Sequence, residues 1–244
     1  MLERLGIQSY TFRTFDTIEK LADALQAAGI SRLEAWPGHI CHDHPAAETA
    51  QKVAYLAKRG ISLSGYGGVA LYNNEEEMRE MFAFARDYGI GAMTLVDMKD
   101  DCLELVERLA EDYDVYLAAH NHGKNHWIGT RERLDAFFSK TSSRFGVCLD
   151  TAWAIHAGED PIEMALYYKD RLLGVHLKDF VYDEASAKHK DVIIGSGGLD
   201  LPRFMKTLKD IDFKGYISLE YEGNAENPLP ETQRCVQALK AALA

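Results

Sequence analysis

The chain is short of the features that would mark a secreted, membrane or nucleic-acid-binding protein. Its four cysteines, Cys41, Cys102, Cys148 and Cys235, are far apart, and no two have CxxC spacing. That excludes a disulfide framework and a zinc ribbon. No apolar run approaches the ~18 residues that a membrane span needs. The opening residues, Met1-Leu2-Glu3-Arg4, lack a basic segment leading into an apolar one, so no secretory signal is expected and the cytoplasm is the expected compartment. Runs of Lys or Arg are absent, and the formal net charge is −11. Such a surface repels nucleic acid and anionic membranes. The densest acidic cluster, Glu75-Glu76-Glu77, reads as a solvated helix surface. There is also no Pro/Gly/Ser-rich linker, so residues 1–244 are expected to form a single domain.

What the chain does have is rhythm. Short apolar strands alternate with amphipathic helices in eight units of about thirty residues, the pattern of an α/β protein with a parallel sheet. Strands are expected near residues 4–9, 31–36, 61–66, 92–96, 114–120, 144–149, 172–179 and 215–220. Asp16 with Glu19 should open the first helix as a capping box, and Gly29 should end it. Asn74, Asp160-Pro161 and Asp200 read as further helix starts. The length suits a (β/α)8 TIM barrel, ~250 residues in a typical case.

The seventh strand, Leu172-Leu173-Gly174-Val175-His176-Leu177-Lys178, shows how chemistry enters. Side chains alternate across a strand. Leu173, Val175 and Leu177 then share an apolar outer face, while Gly174, His176 and Lys178 point into the barrel. Three other strands also end on an inward polar residue, giving His120, Asp150, His176 and Glu220 at four consecutive strand ends. Neighbouring strand ends lie ~5 Å apart, so the four can converge. Two imidazoles and two carboxylates suit a divalent ion such as zinc or manganese.

The motifs His120-Asn121-His122-Gly123, Gly146 to Trp153 (GVCLDTAW), Val175 to Asp179 (VHLKD), Ile194 to Gly197 (IGSG) and Ile217 to Glu220 (ISLE) follow one another in the second half of the chain. In that order and spacing the chain resembles the xylose isomerase-like TIM-barrel superfamily, the group of sugar phosphate isomerases and epimerases that also includes inosose dehydratase and endonuclease IV. The first half matches in rhythm only. The resemblance implies metal ligands at Asp150, His176 and Glu220, with a divalent zinc, manganese, magnesium or cobalt ion as cofactor. The fourth family ligand is usually Glu; here the position holds His120. In the epimerases and isomerases two glutamates pass protons on either side of the substrate carbon, and this chain keeps Glu220 of that pair. The substitution leaves the loaded site neutral rather than anionic, which strengthens carbonyl polarisation.

Further candidates surround these four. His122, two residues past His120, is expected to contact substrate, act in catalysis or add a ligand. Lys178 is a candidate to stabilise an enediolate oxyanion, against a plain salt bridge at the barrel mouth. Glu34 is a candidate substrate contact, against an ion pair with Arg32 or Lys178. Trp36 and Trp153 are candidates to stack on a sugar face, against core packing. His39, His42 and His44 fit a solvated loop better than a second metal site. His120-Asn121-His122 matches the letters of an HNH nuclease without its ββα context. The leading expectation is a metal-dependent isomerase or epimerase of a small keto sugar or keto acid, working through an enediolate. A dehydratase or lyase on a keto-polyol or keto-glycoside is the rival, and a non-catalytic sugar-binding barrel is the third reading. The expected partner is a small carbohydrate, with no nucleic acid and no membrane; a homo-oligomer stays open. Residues 180–198, long for a connection, are expected to close over a ligand.

Overall fold

Parallel strands need crossover connections, and a chain that supplies a helix after each strand can close its sheet into a ring. The computed structural model, which describes residues 2–183, 185–186 and 188–243, shows that outcome. The strands are β1 (Leu5–Gln8), β2 (Arg32–Ala35), β3 (Ser62–Leu71), β4 (Ala92–Met98), β5 (Tyr116–His120), β6 (Phe145–Asp150) and β7 (Leu172–Leu177), then a hairpin of β8 (Phe180–Asp183) and β9 (Lys188–Asp191), and β10 (Tyr216–Leu219). β1 to β7 and β10 form a closed parallel barrel of eight strands, in which β10 lies between β7 and β1. The fold is a (β/α)8 barrel, as the sequence rhythm predicts.

The helices are α1 (Ile18–Ala28), α2 (Ala46–Lys58), α3 (Glu75–Asp87), α4 (Leu103–Asp112), α5 (Arg131–Phe138), α6 (Thr151–His156), α7 (Pro161–Tyr167), α8 (Leu201–Asp210) and α9 (Leu229–Leu243). Their apolar stripes pack on the outward strand residues, such as Ile7, Leu33, Leu95, Val147 and Val175, in one continuous buried layer. Asn74, Asp160 and Asp200 cap their helices as expected. α1 differs: Thr17 accepts the cap hydrogen bond from the Lys20 amide, while Asp16 pairs with the Lys20 ammonium at 2.6 Å. α6, directly after β6, was not expected; Asp150 is both a strand end and its N-cap.

Two expectations about the seventh strand and its loop need correction. Val147 pairs with Leu172 and Cys148 with Gly174, so a bulge skips Leu173. Leu172 therefore takes the outward position, and Leu173 packs inside the barrel floor with Ala92, Ala118, Cys148 and Tyr216. Residues 180–198 are not one loop; within them β8 and β9 pair antiparallel, Glu184 and Ala187 lying outside the described residues. The glycine-rich turn beyond is tied down by Asp179, whose carboxylate accepts from the Gly195, Gly197 and Gly198 amides at 2.8–2.9 Å. No helix among the described residues is long and apolar enough to cross a membrane.

The barrel interior depends on glycine where large side chains cross it. A Cβ on Gly174 would lie 2.1 Å from the Tyr216 ring, whereas one on Gly91 would meet nothing within 4 Å. Gly174→Ala should therefore cost about 1–3 kcal/mol, the usual range for overpacking, and Gly91→Ala should stay within about 0.5 kcal/mol of the parent. Urea denaturation of both variants checks this, and equal midpoints would contradict the packing described.

Candidate metal centre and substrate cavity

The C-terminal ends of β5, β6, β7 and the residue after β10 deliver His120, Asp150, His176 and Glu220 to one place. One ligand atom from each lies within 4.8 Å of every other, and all four side chains are buried. His120 Nε2 stands 3.1 Å from His176 Nδ1 and 3.5 Å from Asp150 Oδ2, and His176 Nδ1 stands 3.3 Å from Glu220 Oε2. Two ring nitrogens facing each other at that distance with two carboxylates beside them leave a strongly electron-rich point. Asp150 Oδ2 is buried there with no hydrogen-bond partner. An unpaired buried carboxylate oxygen is costly. A divalent cation with bonds of ~2.0–2.2 Å to nitrogen and oxygen fits the spacing and would satisfy it.

Each member is aimed by a neighbour. Asp150 Oδ1 caps α6 by accepting from the Trp153 amide at 2.9 Å, which leaves Oδ2 for the cluster. Asn121 clamps the Asp150 backbone, donating to its carbonyl at 3.0 Å and accepting from its amide at 2.8 Å. His176 uses Nε2 to meet Glu34 Oε2 at 2.9 Å, so its Nδ1 faces the cluster. Glu34 is fully buried and also accepts from the Thr94 hydroxyl, which lies 2.6 Å from the Tyr216 hydroxyl. Gly65 and Gly67 make room for it; a Cβ on Gly67 would strike the Glu34 carboxylate.

The electrostatics follow from burial. Burial pushes the His120 imidazole down to about 3 and His122 down to about 4, helped in each case by a neighbouring histidine. Both are neutral at pH 7 and present lone pairs. Burial pushes Asp150 up to about 6, against the pull of Lys178. Burial alone would raise Glu220, but Lys178 and His176 more than offset it and hold it well below the usual carboxylate range. Burial likewise opposes charge on Lys178, and Glu220 and Glu222 outweigh it and keep the ammonium.

Above the cluster opens a cavity of about 420 Å³. Its wall includes Trp36, Trp153 and His122, together with the His120, His176 and Glu220 side chains. His122 lies against Trp153, ring centres 4.5 Å apart. Two of the candidates lie off the cavity wall. Glu34 does not reach the cavity wall; it stands behind His176 and pairs with that ring rather than with Arg32 or Lys178. Lys178 is also absent from the wall, is fully buried, and forms the salt bridge that was the alternative for it, binding Glu222 while lying 3.6 Å from Glu220. The loop histidines are less solvated than expected: His39 is buried with Nε2 3.1 Å from the Phe15 carbonyl, and His42 meets the Tyr66 hydroxyl at 3.0 Å. Neither joins the cluster.

Sequence reasoning missed Asn121, Glu222 and His189. Asn121 sits inside a quoted motif and gave its signal there. Glu222 lies two residues past Glu220 and could have been found by continuing the strand's alternation. His189 reaches the cavity only through the β8–β9 hairpin, with its ring 5.1 Å from that of Trp153.

The structure is a closed parallel barrel with a buried cluster of His, Asp, His and Glu at its C-terminal rim that could hold a metal ion, beneath a cavity of small-molecule size. Comparison with known proteins gives the family: the chain belongs to the xylose isomerase-like TIM barrel family, whose model matches residues 16–241. Among curated relatives, the rhizopine catabolism protein MocC of Rhizobium meliloti is 28% identical over 142 residues, 53% of this chain and 43% of that protein. The inosose dehydratase of Clostridium beijerinckii is 25% identical over 202 residues, 75% of this chain and 61% of that protein. The matches thus span less than two thirds of the length of either relative. Among solved structures, IolI with a bound zinc atom superposes with a TM-score of 0.75 at 16% identity, covering 98% of this chain and 96% of that one, a likeness of fold.

Lys178 is the cation on which two carboxylates at this rim depend. Lys178→Met should destabilise the protein by about 3–5 kcal/mol, the cost of leaving buried charge uncompensated. Chemical denaturation measures it, and a loss below about 1 kcal/mol would contradict the placement of Lys178.

Proposed function

We propose that this chain is a metal-dependent lyase that eliminates water from a small keto-polyol. The observation that carries the reading is the buried His120–Asp150–His176–Glu220 cluster opening on a cavity where Glu220 is the carboxylate shared by cluster and cavity. An imidazole, His120, stands where a second proton-passing carboxylate would otherwise be. The similarity to an inosose dehydratase supports elimination over the isomerisation favoured by sequence motifs alone. His120, Asp150, His176 and Glu220 would hold the ion, and two nitrogen donors favour zinc or manganese over magnesium. When bound, the ion supplies Lewis acidity that polarises the substrate carbonyl and stabilises negative charge on its oxygen.

The chain's own groups do the rest. Glu220, kept ionised by Lys178 behind it, takes the proton from the carbon beside the carbonyl. The C–H electron pair moves toward the carbonyl and then into a carbon–carbon double bond as the β-hydroxyl leaves. With no carboxylate besides Glu220 and the Lys178-bound Glu222 among the described residues of the wall, the protonated Glu220 returns its proton to the departing hydroxyl on the same face. Trp36 and Trp153 offer flat apolar walls to the carbon skeleton, and His122 offers a hydrogen bond to a hydroxyl. Glu34 acts from behind by fixing the tautomer and orientation of His176.

An isomerase or epimerase shares the first step and differs in where the proton returns. Glu222 on the cavity wall is the observation that favours it. Glu222 follows the same strand as Glu220 and its carboxylate is tied to Lys178, so it is not free to act from the opposite face. Incubation with an inosose and manganese in deuterated water separates the two. The expected product is lighter than the substrate by one water, and it disappears with chelator or in Glu220→Gln. A product of unchanged molecular formula carrying solvent deuterium would overturn elimination. Saturable binding with neither product nor exchange would point to a sugar-binding barrel instead.

The role of Glu34 has its own test. Glu34→Gln should weaken metal affinity about 10–100-fold, as loss of an outer partner of a ligating histidine does. Chelator competition measures this, and parent-like affinity would remove Glu34 from the account.

A further inference from the structure

The opposite, N-terminal mouth of the barrel holds a second cavity, of about 370 Å³. It sits where β10, β1 and β2 begin as adjacent staves. Glu220 at the rim lies four positions beyond Tyr216 at that end, about 13 Å along a strand, so the two openings are separate. Arg4, Arg32 and Lys214 line this cavity, and no Asp or Glu does among the described residues. In a chain with 38 acidic against 27 basic side chains, three cations without a carboxylate on one cavity wall is a marked local inversion of charge.

The cations are also short of partners. Arg32 forms no ion pair among the described residues, because Glu34, two residues on, is committed to His176. Arg32 Nε and Ser64 Oγ, both on this wall, are buried without any hydrogen-bond partner. Arg4 donates to the Phe213 carbonyl and forms no ion pair among the described residues. Lys214 alone pairs, with the exposed Asp212 outside the cavity. Gly89, Gly91 and Gly215 form part of the wall and add no side chains to fill it.

We propose that this mouth is a binding site for an oxyanion, the phosphate group of a small metabolite or free inorganic phosphate. The Arg32 guanidinium presents N–H donors in a fixed fork that matches phosphate oxygens. Ser64 supplies a hydroxyl donor, and Arg4 and Lys214 add charge. Nothing in this inference uses the metal cluster or depends on the reaction at the other end.

The test is an amide chemical-shift titration of the full chain with inorganic phosphate, glucose 6-phosphate and glucose. Saturable shifts are expected at Gly89, Gly91 and Gly215 with both phosphates and none there with glucose. Tighter binding of the sugar phosphate would assign the site to a phosphorylated metabolite, and equal affinity to the free oxyanion. Arg32→Gln should weaken binding at least tenfold. Gly91→Glu places a carboxylate in the mouth at a position where a Cβ meets no atom, and it should abolish binding while the fold is kept. Shifts confined to Gly67 and Gly123 at the other rim, or unaltered affinity in both variants, would overturn the proposal.

Discussion

One contact across the barrel governs the rest of the site: the Glu34 carboxylate, on the second strand, holding the His176 ring on the seventh at 2.9 Å. A buried carboxylate is tolerated only when it is paired and hydrogen-bonded. His176 and Thr94 meet that demand, and Gly65 and Gly67 clear the space. The same contact decides which nitrogen of His176 faces His120, Asp150 and Glu220. Tyr216 and Gly174 extend the dependence downward, since the tyrosine crosses the barrel to reach Thr94 and only a glycine lets it pass. The floor of the barrel is thus built to support its rim.

The charges at the rim make sense as one arrangement. Asp150 and Glu220 are both buried, yet burial raises the first and Lys178 with His176 lowers the second. The difference lies in partners: Glu220 has the Lys178 ammonium at 3.6 Å and His176 Nδ1 at 3.3 Å, while Asp150 Oδ2 has no hydrogen-bond partner and burial outweighs the pull of Lys178. Lys178, fully enclosed, shapes this field without entering the cavity.

Much of the fold was legible because its signals are local. The strand–helix alternation and the caps at Asn74, Asp160 and Asp200 depend on residues close in sequence. The convergence of His120, Asp150, His176 and Glu220 followed from phase, since a parallel barrel turns equal depth along neighbouring strands into proximity. Phase reasoning failed where a bulge broke it, at Leu173. It also failed for contacts made across the barrel: Glu34 lies 142 residues from His176, and no local pattern pairs them. His189 was hidden for a different reason. Lys188–Asp191 is strongly polar and carries no apolar alternation, so its strand character comes from pairing with β8 alone.

The chemistry proposed for the rim rests on four side chains sharing one cation. The most direct test is anomalous diffraction from crystals grown with manganese or zinc. The account predicts a single strong peak bonded to His120 Nε2, His176 Nδ1, Asp150 Oδ2 and Glu220 Oε2 at about 2.0–2.2 Å. A rim without a peak at saturating metal, or an ion held by other residues, would contradict it.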